Sequence, residues 1–255
     1  MAKISKTITN EPLEKTFVLE NTNFAFVNEL RRVATNQIPV MAIEDIYFTN
    51  NTSALYDEIL AHRIGLIPLK TTPDYVKQED CKCKGKGCAS CRVKLKLNVK
   101  GPKKVYASDF KSTDPNIKPV NPKTLIVELI EGQEIELEAH AFMNTAEEHA
   151  KWNSCLAFYQ GYPKITISNK ADKKIAEICP KKVFEVKNNK LTIKNLEDCN
   201  LCKACEDKSN GEIKLSSEED KFIFTLESWG QYPPKEILSQ TTSIIKNKLK
   251  DAKIK

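Results

Sequence analysis

Three features of this sequence predict an α+β fold built in several parts. Amphipathic helical stretches stand near both ends of the chain. Segments that alternate apolar and polar residues recur between them. Two tetrads of cysteines at metal-ligand spacing mark two separate metal-binding pieces.

The elements follow in order. Residues 15–20, Lys-Thr-Phe-Val-Leu-Glu, read as a strand, and Asn21-Thr22-Asn23 supply N-cap residues. Phe24, Val27, Leu30, Arg31 and Ala34 then recur at helical spacing. That helix ends before Pro39, because the residue preceding a proline is pushed out of the helical region. Residues 40–48 read as a strand. Residues 55–64 read as a short helix stopped by Gly65 and Pro68. Residues 76–104 form a lysine-rich arm around the first cysteines, and 105–125 are rich in Pro, Asn and Ser and read as loop. Residues 125–129 and 134–139 read as two strands around Glu131-Gly132. Glu134, Glu136 and Glu138 alternate with Ile135, Leu137 and Ala139, so these carboxylates form a solvent face and not a catalytic pair. Residues 182–193 alternate on both sides of Asn188-Asn189, the pattern of a β-hairpin. Residues 222–227 read as a strand. Pro233-Pro234 open a helix with Ile237, Leu238, Thr241, Ile244, Ile245 and Leu249 on one face, either core or a seam for a partner.

Composition excludes several classes. The chain has 255 residues, 40% hydrophobic and 29% charged, and eight glycines. No apolar run approaches the ~20 residues of a membrane span. The first residues, Met-Ala-Lys-Ile-Ser-Lys, lack the apolar core of a signal peptide, and the cysteine spacings are not those of a secreted disulfide framework; an intracellular, cytoplasmic location is expected. No nucleophile triad, Walker loop, zinc-protease helix or Rossmann glycine run is present, so catalytic residues are expected to be none. Residues 76–104 hold ten Lys/Arg against two Asp/Glu, a local +8 in a chain of net +6. The patch is either a contact for an acidic partner or nucleic acid, or a solvated arm. No aromatic residue interleaves with the lysines between Ala89 and Val105, which argues against single-strand stacking. His62 and His149 lie in polar contexts that suit surface or hydrogen-bonding roles better than metal ligation.

The nine cysteines fall into two tetrads and one remainder. Cys81, Cys83, Cys88 and Cys91 are spaced C-x-C-x4-C-x2-C, with Gly85 and Gly87 free to take the positive φ angles of a knuckle. Four thiolates can wrap one Zn2+ tetrahedrally and leave no open coordination position, so the site is expected to be structural; an empty or partly oxidised cluster is the alternative. The second tetrad is Cys179 with Cys199, Cys202 and Cys205, the last three as C-x2-C-x2-C. Bacterial ferredoxin half-motifs read C-x2-C-x2-C-x3-C-P, with the fourth cysteine serving the other cluster. Here Ser209 stands where that fourth cysteine would be, while Cys179-Pro180 keeps a Cys-Pro with no C-x2-C-x2-C before it. Each half keeps parts belonging to the same cluster. One [4Fe–4S] cluster on Cys179, Cys199, Cys202 and Cys205 is expected, with zinc as the alternative. Cys155 is expected to be a buried, inert thiol.

A family resemblance emerges from several stretches together. These are Phe26-Val27-Asn28-Glu29-Leu30-Arg31-Arg32, Ile38-Pro39-Val40-Met41-Ala42-Ile43, Asn50-Asn51-Thr52-Ser53, and the run from Asp57 through His62-Arg63-Ile64-Gly65 to Leu69. His149-Ala150-Lys151-Trp152 adds a further motif. Over nearly its full length the chain resembles the α-like subunits of multisubunit RNA polymerases. The cysteine arm and the ferredoxin-like insertion make it similar to the archaeal D type. Where the family often carries glycines before the last motif, this chain has Asn144-Thr145-Ala146-Glu147-Glu148.

The resemblance implies a discontinuous dimerisation domain over 1–48 and 219–255. It implies an insert domain with the knuckle over 49–163, and a ferredoxin-like domain over 164–218. It implies a non-catalytic assembly platform that pairs with the small α-like subunit L and recruits subunits N and P and the large catalytic subunits. DNA and RNA are met only through the complex. Phe26, Leu30, Ile237, Ile244 and Ile245 are expected in the shared core and seam, and Arg31 and Arg32 in contacts with the larger assembly. The competing class is an iron–sulfur electron-transfer or redox-sensing protein; a stand-alone nucleic-acid binder would rest on the 76–104 patch alone.

Overall fold

A computed structural model describes residues 2–168 and 171–252. The chain divides into two compact units. One comprises Met1–Glu11, Lys15–Arg31 and Phe158–Thr225; the other comprises Pro12–Glu14, Arg32–Ala157 and Leu226–Lys255. Together they are mixed and rich in strands, as an α+β chain should be.

The first unit rests on a four-stranded sheet of β1 (Lys3–Asn10), β2 (Glu14–Glu20), β12 (Ile213–Ser228) and β9 (Cys155–Ile167), in that order. β1 and β2 pair antiparallel from Lys3↔Glu20 to Asn10↔Lys15. Phe17 and Phe224 stack with ring centroids 5.4 Å apart. Asn23 caps the following helix α1 (Phe24–Asn36) by accepting the Phe26 N–H at 2.9 Å, a contact worth about 1 kcal/mol. Beyond the sheet lies a small piece with α3 (Ile175–Ile178), a hairpin of β10 (Phe184–Lys187) and β11 (Lys190–Ile193), and α4 (Ala204–Lys208). The hairpin closes where it was expected. Asn188 and Asn189 take φ of 48° and 62°, the paired left-handed residues of a tight two-residue turn.

The second unit is built around β8 (Glu134–Asn144), which pairs antiparallel with β3 (Val40–Asn51) on one side and β4 (Arg92–Lys100) on the other. β6 (Lys111–Ser112) extends the sheet beside β4, and β5 (Lys103–Tyr106) forms a separate ladder with β7 (Leu125–Leu129). The helix α2 (Asp57–Gly65) buries Leu60 and Ile64 in one core with Met41, Ile43, Leu95 and Leu97. Asn51 organises the turn ahead of α2. Its Oδ1 accepts the Ser53 N–H and hydroxyl, and its Nδ2 donates to Leu55 O and Asp57 Oδ1. The chain ends in α5 (Pro234–Asp251), opened by its proline pair.

Several sequence expectations change. The lysine-rich arm is a regular strand over its second half. Val93, Leu95, Leu97 and Val99 are buried, and the lysines between them line the other face. Burial of four apolar side chains outweighs the charge of the segment. Residues 125–129 and 134–139 are strands, but they do not pair with each other; β7 pairs with β5, while β8 runs on to Asn144. The 105–125 loop contains β6 and a short 3-10 turn at Ala107–Asp109. β1 was not expected, because its alternation is mostly solvent-exposed.

The glutamates of β8 answer the lysines of β4. Lys94 and Lys96 reach Glu138 at 2.8 and 3.5 Å, and Lys100 reaches Glu134 at 3.1 Å. His140 Nε2 also lies 2.8 Å from Glu138. Hydrogen bonds from Lys94 and then His140 hold the Glu138 carboxyl down to about 2. A lowered carboxyl contributes stability above its unfolded value near 4.5 and loses it as pH falls through about 2. Glu138→Gln should therefore lower the urea midpoint at neutral pH. The gap to the parent should close as the pH drops through that window.

Gly101 lies at the β4–β5 turn, and a Cβ there would sit 2.1 Å from the Ile130 carbonyl oxygen. Backbone cannot yield as a side chain can. Gly101→Ala is expected to cost about 1–3 kcal/mol, read as a lower Tm, while Gly85→Ala meets no atom within 4 Å and carries only the strain of its positive φ.

Candidate metal centres

The knuckle lies in the second unit, immediately before β4. Lys84, Gly85 and Gly87 take φ of 52°, 81° and 76°, which turns the chain back on itself within seven residues. Lys84 N–H donates to Cys81 O and Lys86 N–H to Cys83 O, at 2.9 and 3.2 Å. Arg92 N–H and Cys91 N–H both donate to Cys88 O. These turns aim all four sulfurs inward. Sγ–Sγ separations are 3.5 Å for Cys81–Cys88, 3.6 Å for Cys83–Cys91 and 3.9 Å for Cys88–Cys91, and all four sulfurs lie within 4.8 Å of one another. A tetrahedron with metal–sulfur bonds of ~2.3 Å has edges of ~3.8 Å. The donor set therefore fits one tetrahedral metal ion.

The thiols share their protons unequally. Burial pushes Cys91 up to about 12. Burial works the same way on Cys83, but hydrogen bonds from Cys81 and Cys91 outweigh it and hold that thiol down to about 6. Four sulfurs at this spacing cannot all ionise without a cation, which a bound metal ion would supply.

The second tetrad lies in the first unit. Cys179, Cys199, Cys202 and Cys205 all line one cavity, with Pro180, Val183, Phe184 and Leu215 as its apolar wall. Among the described residues, no three of these sulfurs approach as closely as those of the knuckle. Cys179 caps α3, and its sulfur accepts the Val183 N–H at 3.4 Å. Leu201 and Lys203, on either side of Cys202, take φ of 57° and 62°, so the C-x2-C-x2-C run is a loop with two left-handed residues up to Lys203 and enters α4 only at Ala204. Burial pushes the Cys199 and Cys205 thiols up, and the neighbouring cysteines push the same way.

Polar contacts fasten this loop to the sheet of its own unit. Gln160 donates to Cys199 O at 2.8 Å, and Lys6 pairs with Glu197 at 2.6 Å. Tyr162 OH donates to the same carboxylate at 3.3 Å. Ser209, at the position of a fourth ferredoxin cysteine, is buried and turned to backbone work. Its hydroxyl donates to Glu206 O at 3.0 Å and accepts the Ile213 N–H at 3.0 Å. Cysteine spacing singles out Ser209 but not its backbone contacts, and neither Gln160 nor Tyr162 follows from it.

Cys155 is fully buried, donates to Ala34 O at 3.4 Å, and is pushed up to about 11 by burial. His62 is exposed. His149 accepts the Lys151 N–H at 3.1 Å as a cap, and Trp152 donates to Phe142 O at 3.2 Å. The remaining expected residues divide by burial. Leu30 and Ile237 are core, Ile244 and Ile245 are half-buried, and Phe26 is exposed. Arg31 reaches Asn28 Oδ1 through two nitrogens at 3.2 Å, and Arg32 is exposed. Among the described residues no helix is long and apolar enough to cross a membrane.

Replacing Cys88 and Cys91 together by Ser should release one metal ion per chain, measured by elemental analysis. Hydrogen exchange should speed up over residues 80–92 and stay unchanged over 175–213. Metal retention at the knuckle should also weaken as pH falls, because protons compete for the same thiolates.

Comparison with known proteins gives a consistent result. Residues 45–157 match the family described as the RNA polymerase Rpb3/RpoA insert domain. The DNA-directed RNA polymerase subunit Rpo3 of Methanosphaera stadtmanae is 38% identical over 245 residues, covering 91% of this chain and 90% of the relative. That of Methanosarcina acetivorans is 39% identical, with 92% and 91% covered. That of Pyrobaculum calidifontis is 38% identical, with 92% and 89% covered.

Proposed function

The chain belongs to the family of DNA-directed RNA polymerase subunit Rpo3, and from that premise we propose how it builds the enzyme. It is a non-catalytic assembly subunit of the polymerase. The observation that carries this is identity of 38–39% spread over nine-tenths of both chains, with the insert-domain match inside it. The alternative of a free-standing electron-transfer or redox-sensing protein is not favoured by these relatives.

On our reading, residues 1–48 and 219–255 form the dimerisation domain and pair with the small α-like subunit L. The insert domain is 49–163 and the iron–sulfur domain 164–218. Subunits N and P and the large catalytic subunits join that pair, in the cytoplasm. Nucleic acid is met only through the assembled enzyme. Phe26 on α1 is assigned to a partner contact, and so, separately, are Ile244 and Ile245 on α5, because each keeps apolar surface that the chain itself does not cover. Leu30 and Ile237 are each buried core positions of their own unit, and Arg31 and Arg32 reach the larger assembly.

We assign zinc to Cys81, Cys83, Cys88 and Cys91, and one [4Fe–4S] cluster to Cys179, Cys199, Cys202 and Cys205. A lone Zn2+ draws four sulfurs together, whereas a cubane gives each cysteine its own iron and spreads them. The wider second tetrad around a cavity supports the cluster there. Bound metal supplies folding free energy and fixes the loops that carry its ligands.

Phe26→Glu should abolish co-purification with the small partner while leaving the Tm of the isolated chain nearly unchanged, since Phe26 is exposed before assembly; Ile245→Glu should also weaken pairing but lower the Tm somewhat, because Ile245 is half-buried. Retained pairing would sink the seam assignment. Cys205→Ser should lose all iron and open residues 175–213 to exchange.

A further inference from the structure

A groove of about 670 Å3 runs through the second unit, between the residues that lead into the knuckle and the end of β8. That volume falls among the ~300–1,000 Å3 of ligand sites. Its floor is apolar, with Phe142, Met143 and Trp152 all buried. Its rim is acidic. Glu44 stands on β3, Glu79 on the lead-in to the knuckle, and Glu147 and Glu148 on the turn after β8, and all four are exposed. Among the described residues Lys77 is the one base that lines the groove, and it lies 3.9 Å from Glu79. Lys84 and Lys86 flank the lining Gly85 but do not line the groove themselves.

The sequence sets each part in place. β3 and β8 slip register between Ile43 and Asp45, so Glu44 is the extra residue of a bulge, and a bulge re-aims a side chain. Gln37 Nε2 donates to Glu147 Oε1 at 2.7 Å and fixes that carboxylate. Gln78 Nε2 donates to Gly85 O at 2.7 Å and ties the lead-in wall to the knuckle. One ammonium already sits against two of the lining residues. Lys151 Nζ pairs with Glu44 and lies 4.6 Å from the centre of the Trp152 ring. A carboxylate and an aromatic face are the two contacts that best hold a Lys or Arg head.

We infer that this groove is a docking site for an extended segment of another polymerase subunit that carries several lysines or arginines. The inference rests on reading the chain as an assembly subunit and adds the chemistry of one partner. Carboxylates from three separate stretches of chain match cations spaced along a segment, and they repel nucleic acid and acidic peptides alike. The apolar floor suits the methylene stems of Lys and Arg, which bury while their heads stay at the rim. A single metal ion does not suit the groove, because among the described residues no three of its carboxylates come close enough to share one.

The test uses the full chain in two settings. In the first, a fluorescent decapeptide alternating alanine with lysine or arginine is titrated with the chain and read by anisotropy. Binding should weaken as salt rises. The double variant Glu147→Gln with Glu148→Gln should bind about tenfold more weakly. A control, Glu218→Gln with Glu219→Gln on β12, should bind as the parent does. No binding by the parent, or equal loss in variant and control, overturns the inference. In the second setting, Asn144, which lines the groove, is replaced in cells by a benzophenone-bearing residue, and the purified polymerase is irradiated. A cross-link to a Lys- or Arg-bearing segment of another subunit is expected. A cross-link to nucleic acid or to an acidic segment, or none although the chain co-purifies with the catalytic subunits, overturns the inference and leaves the assembly reading standing. A tagged parent chain that never co-purifies with the polymerase overturns the assembly reading, and this inference with it.

Discussion

Cysteine thiols gathered at one place are the constraint on which both tetrads depend in our account. At 3.5–3.9 Å, the knuckle thiols can share protons or share a cation, and only a cation lets all four be charged together. The second tetrad, more widely spaced, gathers its thiols around a cavity in a smaller core. Two of the eight buried apolar residues around the hairpin are its own cysteines. A piece of that size buries too little apolar surface to stand without a staple. In our account metal coordination therefore belongs to the folding of these segments, and no substrate chemistry is asked of it.

A scaffold needs rigid internal order and surfaces left unfinished. The β3–β8–β4 ladder supplies the first. Buried aliphatic residues fill one face, while Lys94, Lys96 and Lys100 meet Glu138 and Glu134 on the other. Three of the ten basic residues of the 76–104 segment are thereby answered within the chain, which weakens the case for a stand-alone nucleic-acid patch. In the proposed assignment Phe26, and separately Ile244 and Ile245, supply the second. The motif residues near the knuckle act structurally as well, with His149 capping a turn and Trp152 tied to Phe142.

Much of this was legible in the residues. The helical spacing from Phe24, the stop at Pro39, the Asn188-Asn189 hairpin and the Pro233-Pro234 helix start all rest on local backbone preferences, and those preferences hold here. The knuckle was legible because four ligands within eleven residues leave few other geometries. The misses have a different origin. β4 carries a clear alternation at Val93, Leu95, Leu97 and Val99, but its lysines masked it, since their counter-charges lie some forty residues away on β8. β7 and β8 were placed correctly as strands, yet their partners are set by the whole sheet and not by the turn between them. Gln160, Tyr162 and Ser209 support the second tetrad through contacts that no spacing rule reveals.

The most direct measurement is native mass spectrometry of the tagged chain, recovered without air from its own cells. The account predicts release with a small α-like partner from a particle of several hundred kilodaltons, with zinc and one four-iron cluster on this chain. Recovery as a free monomer, or bound to a reductase, would contradict it.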